Sequence, residues 1–439
     1  MKRLRCMAAF VVSAGGVAAA ELPQVTCDVL VVGGGSAGIC AAVQSGRAGA
    51  KTVLVEAAHQ VGGNTTTGGV NFPGLFHAWG KQVIAGVGWE LVTNTVALDG
   101  GTLPDFSAPT GKQHWKHQVT VSIPLFVALA EEALLAAGVT VHYHAAPARV
   151  EKADGGWKVW TAAAGDTRTI LCKQIVDCTG NGAVAELLGF ERLREEERQP
   201  GSFAYSFTLG TDISKLDAKE VRARFQEAVK AGTVLRSDCR YDIMAYLRDG
   251  GGVGNYVVDA DNSTADARTD TNLRGRASML RMFRFLKTVP GLERIQMTGM
   301  APEVGIRETY RVRGEHLLTQ EEYIAGMRWE DSVCYAFYPI DLHDKRSGVK
   351  PAHLAEGVVA TVPLRALIPK GSVNLLVAGR CLSSDRLANS ALRVQATCMA
   401  TGQAAGAAAA LAARQGKTPG EVPAADIKAL LKQSGAIVP

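Results

Sequence analysis

The hydrophobic pattern changes period several times along the chain, and each change marks an element. Residues 26–32 (Thr-Cys-Asp-Val-Leu-Val-Val) form a short β-branched and apolar run, the signature of a buried parallel strand. The run enters Gly33-Gly34-Gly35-Ser36-Ala37-Gly38, after which residues 39–48 are helix formers. Residues 51–56 (Lys-Thr-Val-Leu-Val-Glu) read as a second strand ending in an acid. Further on, the spacing predicts a helix over 125–137 and a strand over 139–144. Residues 150–161 and 167–171 read as a β-meander, and 174–179 as a buried strand. That strand runs into Gly180-Asn181-Gly182 and a helix over 183–188. Between 202 and 362 the glycine-rich signals stop. Strand-like pieces (203–209, 254–258) mix there with helical ones (218–230, 274–289). The last patterned region is a strand and turn over 374–380, a loop over 381–388 and a long Ala/Gly-rich helix over 393–413 that contains Gly402.

The first of these units has a mechanical reading. Gly33, Gly35 and Gly38 satisfy G-x-G-x-x-G: the first permits a tight turn, the second a close approach to pyrophosphate, the third close packing. Ser36 and Ala37 then open a helix whose free N–H groups and partial positive charge face the phosphates. Glu56 stands where both ribose hydroxyls can donate to it. Strand, frame, helix, strand and acid occur together and in order, so a dinucleotide site is expected. The next loop holds Gly62, Gly63, Asn64 and Thr65, with closely spaced backbone donors and little side-chain bulk. It suits wrapping a flat ring and a pyrophosphate.

Composition adds limits. A chain of 439 residues exceeds what one core usually organises. With 20% charged residues and a net charge of +5, it has no basic run interleaved with aromatics, so nucleic-acid binding has no support. Lys2, Arg3 and Arg5 precede an apolar stretch over 6–17 and then Ala18-Ala19-Ala20, the form of a secretory signal. A periplasmic location is expected, with a cytoplasmic one as the alternative. No later run is long enough to span a bilayer. The nine cysteines include no C-x-x-C pair, so no zinc ribbon or dithiol is indicated. His142 with His144, and His114 with His117, each lack a third ligand, so no metal is expected.

The βαβ unit followed by E-x-x-x-x-x-G-G-N-T resembles the flavoproteins of the glutathione reductase and fumarate reductase lineage. More narrowly, Leu75-Phe76-His77 through Gly80-Lys81-Gln82-Val83-Ile84, with Gly86 and Trp89-Glu90-Leu91-Val92, resembles the substrate-unassigned FAD-dependent oxidoreductases. The resemblance implies FAD as cofactor and an α/β fold. A Rossmann-like FAD-binding domain (parallel sheet plus β-meander) would carry an inserted α+β substrate domain. Its expected layout is a signal segment 1–20, an FAD domain 25–198, an insert 199–364, a returning FAD segment 365–415 and a tail 416–439. Gly180 and Asn181 would form the second FAD-facing turn, with Asn181 where the family usually has Asp. Gly379, Arg380 and Gly402 would belong to the returning segment, whose helix N-terminus faces the flavin edge.

Three residues are candidates for chemistry. Arg307, in a segment resembling the family's G-x-R-E-x-x-R, can hold a substrate carboxylate or sugar oxygen, or stabilise developing charge. His343, in Tyr338-Pro339-Ile340-Asp341-Leu342-His343-Asp344, is the main acid or base candidate. His77, near the glycine-rich loop, is the second. The charge run over 192–198 reads as a solvated crossing between domains. The implied activity is hydride transfer between a small organic substrate and flavin N5, with an electron acceptor of unidentified class. The rivals are a fumarate-reductase-like reduction of an activated double bond and an electron-transfer module without its own substrate.

Overall fold

The computed structural model describes residues 24–108, 113–163, 166–344, 348–349 and 352–439; the expected signal segment lies outside them. The first part contains β1 (Gln24–Val32), α1 (Ser36–Arg47), β2 (Thr52–Val55), the short pair β3 (His77–Ala78) and β4 (Lys81–Gln82), α2 (Val87–Leu98) and α3 (Ile123–Ala136). It continues with β5 (Thr140–His142), β6 (Ala146–Ala153), β7 (Gly156–Ala163) and β8 (Asp166–Asp177). β5, β2, β1 and β8 run parallel, in that order, and β8, β7 and β6 form an antiparallel meander.

Burial explains the unbroken apolar run of β1. Val29 and Val31 face a core shared with Ile39 and Val43 of α1, and Leu30 and Val32 face one shared with Trp157 and Val159. Both faces are covered, so no alternation is possible. Val29, Leu30 and Val31 are fully enclosed, and each contributes about 1.5–3 kcal/mol. Two details differ from the sequence pattern. The stretch 150–161 is divided by a turn at Asp154-Gly155, and 167–171 and 174–177 belong to one continuous strand, β8.

The second part contains α4 (Ala183–Leu187), β9 (Arg192–Leu193), β10 (Tyr205–Thr208), α5 (Ala218–Lys230), α6 (Ile243–Arg248) and β11 (Gly251–Gly252). It goes on through α7 (Ala265–Leu286), β12 (Gln296–Met300), β13 (Arg311–Val312), α8 (Gln320–Ile324) and β14 (Ser332–Ala336) to β15 (His343–Asp344), β16 (Gly348–Val349) and β17 (Ala360–Pro363). β10 pairs with β11 and β12 over a separate core reaching from Phe203 to Ile306. Leu318, Tyr323, Val333 and Val362 instead pack into the first core, so the segment 199–364 divides between two cores.

The charge run is not a solvated crossing. β9 pairs with β13, Arg194 binds Asp261 at 2.7 Å, and Glu195 binds Arg311 at 2.6 Å. Arg192 and Arg194 both lie over the ring of Tyr310. The run is charged because it stitches distant segments together.

The chain then returns with β18 (Leu375–Val377), α9 (Arg386–Leu392), α10 (Gln395–Gln415) and α11 (Ala424–Gln433). β18 adds in parallel to the end of β8. α9 occupies part of the stretch expected to be a loop, and α11 packs against α10. α10 is enclosed nearly all round, which its small residues allow. A Cβ on Gly402 would stand 2.0 Å from the Ala37 oxygen, and one on Gly406 would stand 2.3 Å from the Ala41 oxygen. α1 and α10 therefore touch backbone to backbone. The eight cysteines among the described residues are buried and free.

Candidate active site

β1, β8 and β18 deliver their C-terminal ends to one edge of the sheet, and a cavity of about 310 Å³ opens there. Gly33 leaves β1 at φ +96°, where any Cβ would meet the Cys178 carbonyl oxygen at 2.7 Å. Gly35 is the N-cap of α1 and supplies no side-chain cap, so the first-turn amides lack intrahelical acceptors. A Cβ on Gly35 would find nothing nearer than Gly63 Cα at 4.0 Å, which leaves room at the helix end for pyrophosphate. Gly38 has the opposite reason: its Cβ would collide with the Gly33 oxygen. Glu56 is fixed from behind, because one carboxylate oxygen accepts from Gly34 N at 2.5 Å and the other from Ala58 N at 2.7 Å. Each oxygen keeps a lone pair for a ribose hydroxyl.

The glycine-rich loop is laid against this turn. Gly62 N donates to the Gly34 oxygen at 2.8 Å, and the hydroxyls of Ser36 and Thr65 are 3.0 Å apart. Ala37, Gly63, Asn64, Asn181, Gly379 and Arg380 all line the cavity. Several of them also build its walls. Asn64 Nδ2 donates to the Ile306 oxygen at 2.6 Å, and Arg380 Nη1 donates to the same oxygen at 2.8 Å. Arg380 Nε reaches the Gly180 oxygen at 2.8 Å. One node thus ties the loop, the second turn, the insert and the returning segment. Gly402 serves helix packing rather than the cavity lining. Asp177, which the sequence reading passed over, ends β8 and organises the second turn. Its fully buried carboxylate accepts from Thr179, Val184 N and Ala185 N, and burial pushes its pKa up.

Thr67 Oγ1, Asn181 Oδ1, Asn262 Oδ1, Arg393 Nε and Gln395 Oε1 belong to cavity-lining residues, are buried and have no partner among the described residues. Unpaired buried polar atoms of this kind are rare in native folds. The three amide oxygens call for donors, such as ribose or ribityl hydroxyls and a ring N–H, while the Thr67 hydroxyl and Arg393 Nε can donate to a phosphate or a ring carbonyl. The N-terminus of α10 carries Gln395 and is flanked by Arg393, placing positive potential at the cavity wall.

Arg393 joins the cavity to a second cluster. Its Nη2 is 3.7 Å from Asp341 Oδ2 and donates to Gln199 Oε1 at 3.2 Å. His343 Nε2 is 3.0 Å from the same Asp341 oxygen, and its Nδ1 is 2.7 Å from the Tyr256 hydroxyl. A carboxylate only accepts, so the proton belongs on Nε2 and Nδ1 accepts from Tyr256. Burial, reinforced by Arg307, pushes the His343 pKa down to about 3. Asp341 is held below the usual carboxylate range: burial opposes this, but the His343 hydrogen bond and the nearby arginines outweigh it.

Arg307 reaches this cluster, with its guanidinium 5.7 Å from the Tyr256 ring centroid. Burial and two neighbouring arginines lower its pKa to about 9, so it stays charged at neutral pH. Arg311 is structural, enclosed between Glu195, Glu308 and the Ser384 oxygen. His77 is not among the cavity-lining residues. It stacks on Phe106 with centroids 3.8 Å apart and lies edge-on to Trp89. Burial lowers its pKa to about 4. Tyr256 and Arg393 were missed in the sequence because neither lies in a motif. Asn262, Arg268, Glu303 and Val304 come to the cavity from the insert and were missed for the same reason.

His343 and His77 share a consequence. Each takes up a proton near 6.5 when unfolded but only near 3 or 4 when folded. The unfolded chain binds more protons between these values, so stability falls as pH drops from 6.5 toward 3. The urea midpoint is expected to decline over that window, and His77→Phe, which keeps the stack, should shallow the decline. An unchanged slope in that variant would contradict the assignment.

The sequence matches the family model described as FAD dependent oxidoreductase over residues 28–431. The chain belongs to that family. It is an oxidoreductase that binds FAD, and the glycine frame, Glu56 and the returning helix fit the group. A comparison with curated proteins finds none similar in sequence. Among solved structures, a geranylgeranyl bacteriochlorophyll reductase-like protein from Thermoplasma acidophilum is 11% identical with a TM-score of 0.43, covering 93% of this chain and 84% of its own. An anhydrotetracycline hydroxylase, OxyS, from Streptomyces rimosus is 16% identical with a TM-score of 0.29, covering 43% and 38% respectively. No helix among the described residues is long and apolar enough to cross a membrane.

Proposed function

We propose that this flavoprotein transfers a hydride between a small organic substrate and flavin N5, and that a separate acceptor restores the oxidised cofactor. FAD supplies the two-electron chemistry when bound. The observation that carries the reading is the hydrogen-bonded series Asp341–His343–Tyr256, coupled to the cavity wall through Arg393. Both ring nitrogens of His343 are engaged, so His343 exchanges a proton with the substrate through the Tyr256 hydroxyl. Tyr256 holds that proton at Oη and passes it to His343 Nδ1; burial and Arg307 disfavour the imidazolium at rest, so it forms only as the hydride leaves, with Asp341 balancing its charge. The loop at Gly62–Thr65 and the α10 terminus support placing the chain in the glutathione reductase and fumarate reductase lineage. Reduction of an activated double bond, the rival reading, would run the same series in reverse. An electron-transfer module would not need it. Residues 1–20 motivate export to the periplasm as part of the proposal, and the mass of the mature chain tests it.

The chemistry is tested by mixing the flavin-bound chain anaerobically with a panel of small organic compounds. Saturable bleaching by at least one of them, slowed by deuterium at the reacting carbon, is expected. Bleaching by none of them, with dithionite still reducing the flavin, would favour the electron-transfer module.

A further inference from the structure

Among the described residues, the side chains around His343 hold more cationic donors than carboxylates to answer them. Arg240 and Arg307 approach the Tyr256 ring, at 4.9 and 5.7 Å from its centroid, and Arg393 lies beside Asp341. Asp341 is the carboxylate of this group among the described side chains, and its Oδ2 already accepts the His343 Nε2–H hydrogen bond. Arg307 forms no ion pair among the described residues. Its bonds go to the Pro200 oxygen (2.6 Å) and the Ser202 hydroxyl (3.1 Å), both neutral.

The orphaned atoms of the cluster point the same way. Gln199 is 1% exposed, and its Oε1 accepts from His343 N and Arg393 Nη2, which fixes the orientation of the amide. Its Nε2 is then a buried donor with no acceptor among the described residues, and so is Arg240 Nε. Every unmet atom in this set is an N–H. A neutral alcohol or amine would answer them poorly, because they call for an acceptor carrying negative charge. The two oxygens of a carboxylate can accept several such N–H groups, and phosphate is the competing anion that the test below separates from it.

We propose that this cluster is the recognition site for a carboxylate of the substrate, so that the enzyme acts on small organic acids anchored between Arg307, Arg393 and Gln199. The inference rests on the redox reading above and narrows its substrate class.

Binding, rather than turnover, provides the test. Acetate, lactate, succinate and benzoate are titrated into the flavin-bound chain, each against its amide, with the flavin difference spectrum and the thermal midpoint as readouts. At least one acid is expected to perturb both saturably, with its amide about tenfold weaker or worse, as fits a lost charge-assisted hydrogen bond. Arg307→Gln should weaken that acid about tenfold or more without changing flavin content. Arg307→Lys, which keeps the charge, should recover part of the loss. The proposal is overturned if no acid is preferred to its amide or if inorganic phosphate binds as well as the acids. It is also overturned if Arg307→Gln, still folded and yellow, binds the acid as wild type does. A chain that retains no flavin would count against the redox reading instead, and the thermal shifts of acid against amide would still decide this one.

Discussion

Gly402→Val is expected to cost at least about 3 kcal/mol of stability, at the upper end of what overpacking does, and to empty the flavin site. The reason is geometric. A Cβ at this position would stand 2.0 Å from the Ala37 oxygen and 2.7 Å from its Cα, and backbone atoms of a packed helix cannot move aside as a side-chain tip can. α10 must then lift from α1. Both helices point their N-termini at the cavity, so a displacement that relieves the clash also separates the two positive ends that flank the cofactor. Gly420→Ala is the matched control, since the nearest atom to its Cβ would be Ile368 Cδ1 at 3.6 Å. Urea midpoints and flavin content of the purified variants check this. A Gly402→Val chain that is yellow and unfolds with wild type would contradict the close contact between α1 and α10.

Asp341→Asn is expected to slow substrate-driven flavin reduction by about 100-fold or more while leaving flavin bound, within the range for loss of a positioned acid or base. Asp341 accepts the hydrogen bond from His343 Nε2–H and pairs with Arg393. An amide there can present either an oxygen or an NH₂ to the ring, and it carries no charge to balance an imidazolium. Tyr256→Phe should lose a similar factor, because it removes the hydroxyl bonded to His343 Nδ1. If the residues act as one series, the double variant should lose little more than either single one. Stopped-flow bleaching under anaerobic conditions reads all three. Rates within a few-fold of wild type, or losses that simply multiply, would show that the residues do not work together.

Much of the cofactor side was legible in the sequence, because backbone demands leave few residue choices. The tight turn at Gly33, the open approach at Gly35 and the contact at Gly38 each require glycine, and their spacing is visible without a fold. The same holds for the small residues of α10. The charge run around Arg194 was misread because its partners, Asp261 and Arg311, are 67 and 116 residues away from Arg194 and Glu195. Local composition carries no trace of such pairing. The hairpin turn at Asp154-Gly155 did leave a signal, a D-G step between two strand-like runs, and reading it would have divided the strand correctly. Tyr256 and Arg393 left none. Their roles come from tertiary contacts with His343 and Asp341, which β15, the insert and the entry to α10 bring together only on folding. His77 shows the converse: proximity in sequence to the glycine-rich loop did not bring it to the cavity, because Phe106 and Trp89 hold its ring elsewhere.

The most direct test of the central claim is the absorption spectrum of the purified chain, taken before and after heat denaturation. Bands at about 375 and 450 nm from one FAD per chain, set by the cofactor's own chemistry, are expected, with the colour left in solution once the protein precipitates. A colourless protein that takes up no added FAD would contradict it.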